Sequence, residues 1–105
     1  MGFFYHYTLE KYVPLIMKTG IYANHPYYTT TEYFDANEAG QALGVMAHNI
    51  DCALKFADDG KFKRYADVPS TGRFTGGGNQ YQHPERLKPI AKRSITSRNW
   101  IDINP

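Results

Sequence analysis

The feature that most constrains the fold of this chain is its supply of aromatic rings. Nine Tyr, six Phe and one Trp make up 15% of the residues, whereas Leu, Ile and Val are sparse. A core built from such side chains depends on a few large rings, and each buried Tyr hydroxyl needs a hydrogen-bond partner. At 105 residues, the chain is expected to form one domain over residues 1–105.

Simple features disfavour three classes of protein. The longest apolar runs are only a few residues, far short of the roughly 20 that a membrane-spanning helix needs. The first six residues lack the basic and long apolar regions of a secretory signal. Cys52 is the only cysteine, which excludes an internal disulfide and a zinc site made of thiolates alone. The fold therefore depends on packing.

Charge is distributed unevenly along the sequence. Residues 1–60 carry three Lys against seven acidic residues, a net of −4, and residues 61–105 carry nine basic against three acidic residues, a net of +6. The basic second half can bind the phosphates of a nucleotide or a nucleic acid. The alternative is a solvated surface with flexible Lys and Arg side chains.

The first third of the sequence alternates extended and helical patterns. Residues 3–8 are an aromatic run typical of a buried strand, and residues 27–31 are a second such run. Between them, the apolar spacing predicts a turn over residues 9–12, followed by a short helix that begins near Pro14 and ends at Gly20.

The clearest helix signal follows. Asp35 and Glu38 have the spacing of a capping box, in which each side chain bonds to the backbone of the other. We therefore predict a helix from Ala36 to about Ala47.

The middle of the sequence predicts a hairpin. Residues 52–56 and 61–65 have strand composition and flank Asp58-Asp59-Gly60, a good turn sequence. A helix over residues 51–57 is the alternative for the first of these segments.

Further strands are predicted over residues 79–82 and 93–103. The whole pattern indicates an α+β fold with two small, packed, antiparallel-rich sheets and a few short helices.

Common catalytic and binding motifs are missing from the sequence. The four His residues, at positions 6, 25, 48 and 83, do not have the spacing of a helical metal site, so we predict no bound metal. The run Gly76-Gly77-Gly78 is not followed by the Lys-Ser or Lys-Thr of a P-loop. No nucleophile elbow of a serine hydrolase is present.

Three other motifs follow one another along the chain. They are His6-Tyr7-Thr8, then Tyr27-Tyr28-Thr29-Thr30, then the three glycines leading into Asn79-Gln80-Tyr81-Gln82. In this order the chain resembles ADP-ribosyltransferases of the branch marked by His, Tyr and a third polar residue. It is most similar to the small polymorphic-toxin transferases of bacterial secreted effectors. The resemblance covers about residues 4–82 and implies a compact ADP-ribosyltransferase-like fold.

The resemblance implies a site for NAD as co-substrate. His6 would hydrogen-bond the adenine-side ribose, the main chain of Tyr7 would pair with the nicotinamide amide, and Tyr28 would pack on the nicotinamide ring. Tyr33 or Phe34 would form a second aromatic wall. The implied cofactor-binding residues are His6, Tyr7, Thr8, Tyr28, Tyr33, Phe34 and Gln82.

The third residue of this branch corresponds here to Gln80. Breaking the bond between nicotinamide and ribose passes through an oxocarbenium-like state, so groups that stabilise positive charge accelerate it. Gln80 can accept a hydrogen bond from a ribose hydroxyl, although it carries no negative charge. The implied catalytic set is His6, Tyr28 and Gln80. The carboxylates that are alternatives to Gln80 are Asp102, then Asp35, Asp51 and Glu85.

By resemblance, the chain is a mono-ADP-ribosyltransferase toxin domain that modifies a protein or RNA in the cytoplasm of a target bacterium and releases nicotinamide. The resemblance also implies a cognate immunity protein over the cleft and a place at the C-terminal end of a larger secreted effector. The basic residues available for the NAD pyrophosphate or an acidic acceptor are Arg64, Arg73, Arg86, Lys88, Lys92, Arg93 and Arg98.

Three alternatives remain open from the sequence. The same site would hydrolyse NAD if water reached the ribose C1. A metal-independent toxin ribonuclease would use His6, His83 and a basic residue as acid and base. A nucleotide- or protein-binding module without catalysis is the third.

Overall fold

Two antiparallel sheets form the framework of this α+β chain, which a computed structural model describes over residues 2–21 and 27–103. The larger sheet has the strand order β1-β2-β5-β6, and the smaller sheet pairs β3 with β4. The strands are β1 (Phe3–Thr8), β2 (Cys52–Ala57), β3 (Lys63–Tyr65), β4 (Gln80–Gln82), β5 (Ala91–Ser94) and β6 (Ile101–Asp102). The α-helices are α1 (Val13–Thr19) and α2 (Ala36–Leu43), and 3-10 turns cover Glu10–Tyr12 and Ala47–Asn49. The predicted α+β class with two small antiparallel sheets is confirmed.

Each face of the larger sheet covers its own hydrophobic core. Side chains alternate along β1, so Phe4 packs on one face together with Leu54 and Phe56 of β2. Tyr5 and Tyr7 point to the opposite face and belong to a second core. The aromatic rings are thus divided between two small cores, and each core combines three buried rings with aliphatic side chains.

The first helix forms as its sequence predicts. A 3-10 turn over Glu10–Tyr12 precedes α1, Pro14 lies in the first helical turn, and Gly20 follows the last residue with φ of 75°. Because Pro lacks an N–H, it fits the first turn, and because Gly lacks a Cβ, it tolerates this left-handed φ. The N–H of Gly20 bonds to the Ile16 carbonyl at 2.7 Å, which closes the helix.

The second helix starts as predicted and ends early. The Asp35 carboxylate accepts a hydrogen bond from the Glu38 N–H at 2.9 Å. The helix ends at Leu43, whereas about Ala47 was predicted, because Gly44 adopts a left-handed φ of 73°. In the described ranges, neither α-helix is long and apolar enough to cross a bilayer.

The predicted hairpin between residues 52–56 and 61–65 is wrong. β2 is a strand, as predicted over the helical alternative at 51–57, but its two edges are taken by β1 and β5. β3 pairs instead with β4 in the smaller sheet. The carboxylates of Asp58 and Asp59 each accept from a backbone N–H two residues on, so the turn itself forms while the chain leaves the sheet.

The last predicted strands are confirmed in part. β4 matches the strand predicted over residues 79–82. The single strand predicted over residues 93–103 is instead the hairpin of β5 and β6, because the N–H of Ser97 bonds to the Ser94 carbonyl at 3.0 Å and reverses the chain.

Two consecutive residues connect the sheets. Thr29 exchanges two backbone hydrogen bonds with Tyr5 of β1, at 2.7 and 2.9 Å, and Tyr28 exchanges two with Tyr81 of β4, at 2.8 and 2.7 Å. Neighbouring residues of an extended chain direct their backbone groups to opposite sides, so one segment can pair with two sheets. We call residues 28–30 the bridging segment. The strand predicted over residues 27–31 is therefore reduced to two single bridges.

The Gly-rich segment lies directly against α2. The N–H of Gly78 bonds to the Ala42 carbonyl at 3.0 Å, and a Cβ at Gly78 would stand 2.8 Å from that carbonyl oxygen. A Cβ at Gly76 would stand 2.5 Å from the Pro69 carbonyl oxygen. These glycines allow two backbones to approach closely immediately before β4.

We expect Gly78→Ala to destabilise the protein by about 1–3 kcal/mol, because the added methyl group forces the segment away from α2. Gly72→Ala is the matched control, since a Cβ there meets nothing within 4 Å. Urea denaturation of both variants measures the difference. Equal stabilities would contradict the close packing of this segment.

Candidate functional site

A cavity of about 320 Å³ lies where the two sheets meet. His6 and Tyr7 of β1, Tyr28 of the bridging segment and Gln80 of β4 all contribute to its wall. These residues are separated by most of the sequence, and the fold brings them together. The volume is at the lower end of the range of about 300–1,000 Å³ that is common for small-molecule sites.

Within residues 2–21 and 27–103, no backbone group pairs with Tyr7 at the outer edge of β1. Tyr5 directs its N–H and C=O away from β2 to Thr29, and Lys55, opposite Tyr5 on β2, accepts from Ile90 instead. Backbone groups of a strand point the same way at every second residue, so those of Tyr7 face the same outer edge. The bridging segment has turned towards β4 at this point. The N–H and C=O of Tyr7 are therefore presented to the cavity.

The side chain of Tyr7 is fixed behind this edge. Its hydroxyl donates to the Thr31 carbonyl at 2.9 Å and accepts from the Tyr33 N–H at 2.7 Å. The Tyr33 ring packs edge-on against the Tyr7 ring at 5.6 Å. Tyr33 thus supports Tyr7 from the second core and does not line the cavity.

Neither Tyr33 nor Phe34, the expected second aromatic wall, is part of the described cavity lining, whereas Tyr27 is. The Phe34 ring lies between the guanidinium groups of Arg93 and Arg98, at 4.2 and 4.3 Å. Leu43 and Val45 of the α2 region also line the cavity. Neither Tyr33 nor Phe34 lines either of the two cavities that reach His6.

His6 presents an acceptor nitrogen. Its Nδ1 lies 3.2 Å from the Tyr27 carbonyl oxygen, so this nitrogen is assigned as the N–H donor and Nε2 as the acceptor. Burial lowers the pKa of His6 below its ordinary value, which keeps the ring neutral. A neutral imidazole in this tautomer can accept a hydrogen bond from a ligand hydroxyl.

A second cavity, of about 230 Å³, also reaches His6. Thr8 and residues of α1 and its flanks form the rest of its wall. The full lining comprises His6, Thr8, Tyr12, Leu15, Ile16, Thr19, Gly20 and Ile21. His6 therefore contacts both cavities.

Tyr28 is a core residue as well as part of the cavity wall. It is 1% exposed, and its ring packs edge-on against Phe56 and Phe62, each at 5.1 Å. Its hydroxyl has no hydrogen-bond partner among the described residues. Burial raises the pKa of this phenol, so it remains protonated.

The Gln80 amide has a fixed orientation. Its Nε2 donates to the Ala66 carbonyl at 2.8 Å, which leaves the side-chain carbonyl oxygen as the group available to accept a hydrogen bond. Gln82, on the same face of β4, does not contribute to the wall of either cavity. Of the two glutamines, the fold places only Gln80 at the cavity.

The alternative carboxylates lie elsewhere. Asp35 caps α2, and Asp51 accepts a hydrogen bond from the backbone at the start of the 3-10 turn. Glu85 pairs with Lys61 at 3.3 Å. Asp102 is on β6, three strands from β1, a separation of about 14 Å at the usual strand spacing. None of these four carboxylates lines either cavity.

His83 is engaged on both ring nitrogens. Nε2 donates to the Asp59 carboxylate at 2.8 Å, and Nδ1 accepts from the Glu85 N–H at 3.0 Å. Asp59, His83 and Glu85 bring their ligand-type atoms within 4.8 Å of one another, a grouping that the sequence spacing did not reveal. The Asp59 carboxylate accepts the Nε2–H of His83, and the Glu85 carboxylate pairs with Lys61. His83 lines neither cavity, so it is not placed to share acid–base chemistry with His6.

The basic residues proposed for phosphate contact are largely engaged. Arg93 is 1% exposed, and its guanidinium donates to the carbonyls of Tyr33 and Ile95 at 2.7 and 3.0 Å. Lys92 and Arg64 form ion pairs with acidic neighbours. Arg93 is therefore a structural residue of the second core.

The sequence motifs assign no role to Asn79. It lines the cavity, and its side chain makes three hydrogen bonds to Thr29 and Thr30. Its position immediately before Gln80 is the only signal in the sequence.

Comparison of the chain with family models, with curated proteins and with solved structures finds no match in any of the three.

We expect Tyr28→Phe to leave stability unchanged or to raise it by about 1 kcal/mol, because the buried hydroxyl it removes has no described partner. Tyr7→Phe is the matched variant. It should cost about 1–3 kcal/mol, since it leaves the Tyr33 N–H and the Thr31 carbonyl without their partner. Urea denaturation measures both, and a larger loss for Tyr28→Phe would contradict this assignment.

The lowered pKa of His6 predicts a pH dependence of stability. The unfolded chain, in which His titrates near 6.5, takes up a proton more readily than the folded chain. Stability should therefore fall as the pH drops through about 6.5, and His6→Gln should weaken that fall. Unfolding free energies of both proteins between pH 8 and pH 5 test this. A difference between them that stays constant with pH would contradict it.

Proposed function

We propose that this chain is an ADP-ribosyltransferase-like domain that uses NAD as a co-substrate and transfers ADP-ribose to a macromolecule. The observation that carries the proposal is the single cavity where His6, Tyr28 and Gln80 meet the open backbone edge at Tyr7. The three sequence motifs that suggested this activity contribute the wall of one site. Their convergence supports the proposal because nothing in their spacing requires it.

The open edge at Tyr7 suits the amide of nicotinamide. A carboxamide has one acceptor oxygen and an N–H donor, which match the Tyr7 N–H and C=O. Tyr28, Leu43 and Val45 supply apolar surface for the ring. In this arrangement the nicotinamide end of NAD occupies the larger cavity.

The second cavity suits the other end of NAD. His6 Nε2 would accept a hydrogen bond from a ribose hydroxyl between the two cavities. The apolar side chains of Tyr12, Leu15 and Ile16 line the space beyond it, where a purine would pack. A dinucleotide would thus be held at two ends, with His6 between them.

Gln80 would act on the reacting ribose. Its free carbonyl oxygen would accept a hydrogen bond from a hydroxyl of the nicotinamide-side ribose and so hold the sugar while positive charge develops at C1. The bond between C1 and the nicotinamide nitrogen breaks with its electron pair going to nicotinamide. A nucleophile of the acceptor then bonds to C1 and loses its proton to solvent. Water in place of the acceptor would give hydrolysis of NAD.

The biological setting is proposed from the sequence resemblance. We place the domain in a delivered bacterial effector, with a protein or RNA of the target cytoplasm as acceptor and an immunity protein that covers the cleft. The basic charge of residues 61–105 is compatible with an acidic acceptor.

Nicotinamide release from labelled NAD, measured with and without cell extract, tests the proposed activity. We expect His6→Ala and Gln80→Ala each to lower the rate by about 100-fold, because each removes a hydrogen bond to a ribose. The matched controls are His48→Ala and Gln41→Ala, which alter the same residue types away from both cavities.

Each outcome of this assay has a distinct meaning. Label transfer to a component of the extract supports the transferase, and nicotinamide release without transfer identifies a hydrolase. RNA cleavage without NAD, or no NAD binding by the folded protein, would overturn the proposal.

A further inference from the structure

Asn79 joins the two parts of the chain that carry Tyr28 and Gln80. Its Oδ1 accepts hydrogen bonds from the Thr29 hydroxyl at 2.5 Å and from the Thr30 N–H at 3.0 Å. Its Nδ2 donates to the Thr30 hydroxyl at 2.6 Å. We infer that Asn79 is a positioning residue, which sets the bridging segment against β4 and thereby the geometry of the site.

The bridging segment needs such a support. Tyr28 and Thr29 are each held to a sheet by one pair of backbone hydrogen bonds, whereas a regular strand has several such pairs. The side-chain amide of Asn79 adds three bonds immediately beside these two bridges. It fixes the point at which the chain leaves β1 and turns to β4.

Asn79 is itself fixed on its other side. The backbone of Gly78 bonds to the Ala42 carbonyl of α2 at 3.0 Å, and the next residue after Asn79 is Gln80, whose amide is held by Ala66. Movement of the Asn79 side chain would therefore shift Tyr28 relative to Gln80. Asn79 lines the cavity with three of the four hydrogen-bonding positions of its amide committed to Thr29 and Thr30, so we assign it a role in placing other residues.

Two substitutions at Asn79 differ in how many of its three side-chain hydrogen bonds they keep. Asn79→Ala removes all three bonds. Asn79→Asp keeps them, because the Thr29 hydroxyl, the Thr30 N–H and the rotatable Thr30 hydroxyl can all donate to a carboxylate. The conservative variant should therefore restore what the alanine variant loses.

The first test does not depend on NAD. We expect Asn79→Ala to accelerate hydrogen–deuterium exchange of the bridge amides by about tenfold or more, because local opening becomes easier. These amides are the N–H groups of Tyr5, Tyr28, Thr29 and Tyr81. Exchange at Ile90, which bonds to Lys55 in the centre of the larger sheet, should be unchanged. Unchanged exchange at the bridges would overturn the inference.

Gln41→Ala is the matched control for lost side-chain hydrogen bonds. The Gln41 amide bonds to the backbone of Arg73 and Thr75 and lines neither of the two cavities that reach His6. The Gln41→Ala variant should exchange its bridge amides at the same rate as the wild type. Faster exchange there in Gln41→Ala would overturn a specific role for Asn79.

The second test rests on the proposed function. In NAD cleavage, Asn79→Ala should lower kcat by about 100-fold with little change in KM, since misplacement of reacting groups affects the transition state more than binding. Asn79→Asp should recover most of kcat. Faster exchange at the bridges with an unaltered kcat would overturn the positioning role. If the wild type does not cleave NAD, the proposed function fails, and the exchange experiment still decides the role of Asn79 in the fold.

Discussion

The structure depends on one pair of consecutive residues, Tyr28 and Thr29, whose backbone groups bond to different sheets. Thr29 continues the larger sheet beyond β1, and Tyr28 begins the contact with the smaller sheet. A continued strand at this place would have paired with Tyr7 and closed the edge of β1. Because the segment turns away after a single bridge, no described backbone group covers this edge at Tyr7, and a cavity lies beside it. The candidate site is thus a direct result of the way the two sheets are joined.

The aromatic composition is compatible with this arrangement for a physical reason. A sheet with a core on each face needs bulky side chains in small numbers, and rings bury much area per residue. The Tyr hydroxyls differ in their hydrogen bonding between the two cores. That of Tyr7 is fully hydrogen-bonded in the second core, whereas that of Tyr28 has no described partner in the first. The Tyr28 ring packs in the core and also lines the cavity. Aromatic content alone therefore does not distinguish a core residue from a site residue.

Local signals in the sequence were sufficient for local structure. The Asp35 cap, Pro14 in the first turn of α1 and the strand β1 depend on neighbouring residues, and all were predictable. The partners of β2 were not, because both of its edges are filled by segments far away in the sequence.

The sequence likewise predicted only part of the candidate site. The motifs identified His6, Tyr28 and Gln80, which the fold brings to one cavity, but not the face on which Tyr33 and Phe34 lie. The hydrogen bonds of Asn79 and the pairing of His83 with Asp59 are tertiary contacts with no periodic signature in the sequence.

The proposed site at Tyr7 is tested most directly by the backbone NMR signal of the Tyr7 amide, followed during titration with NAD and, separately, with nicotinamide. We expect a saturable shift of that signal with both ligands. Binding of NAD that leaves the Tyr7 amide unshifted would contradict it.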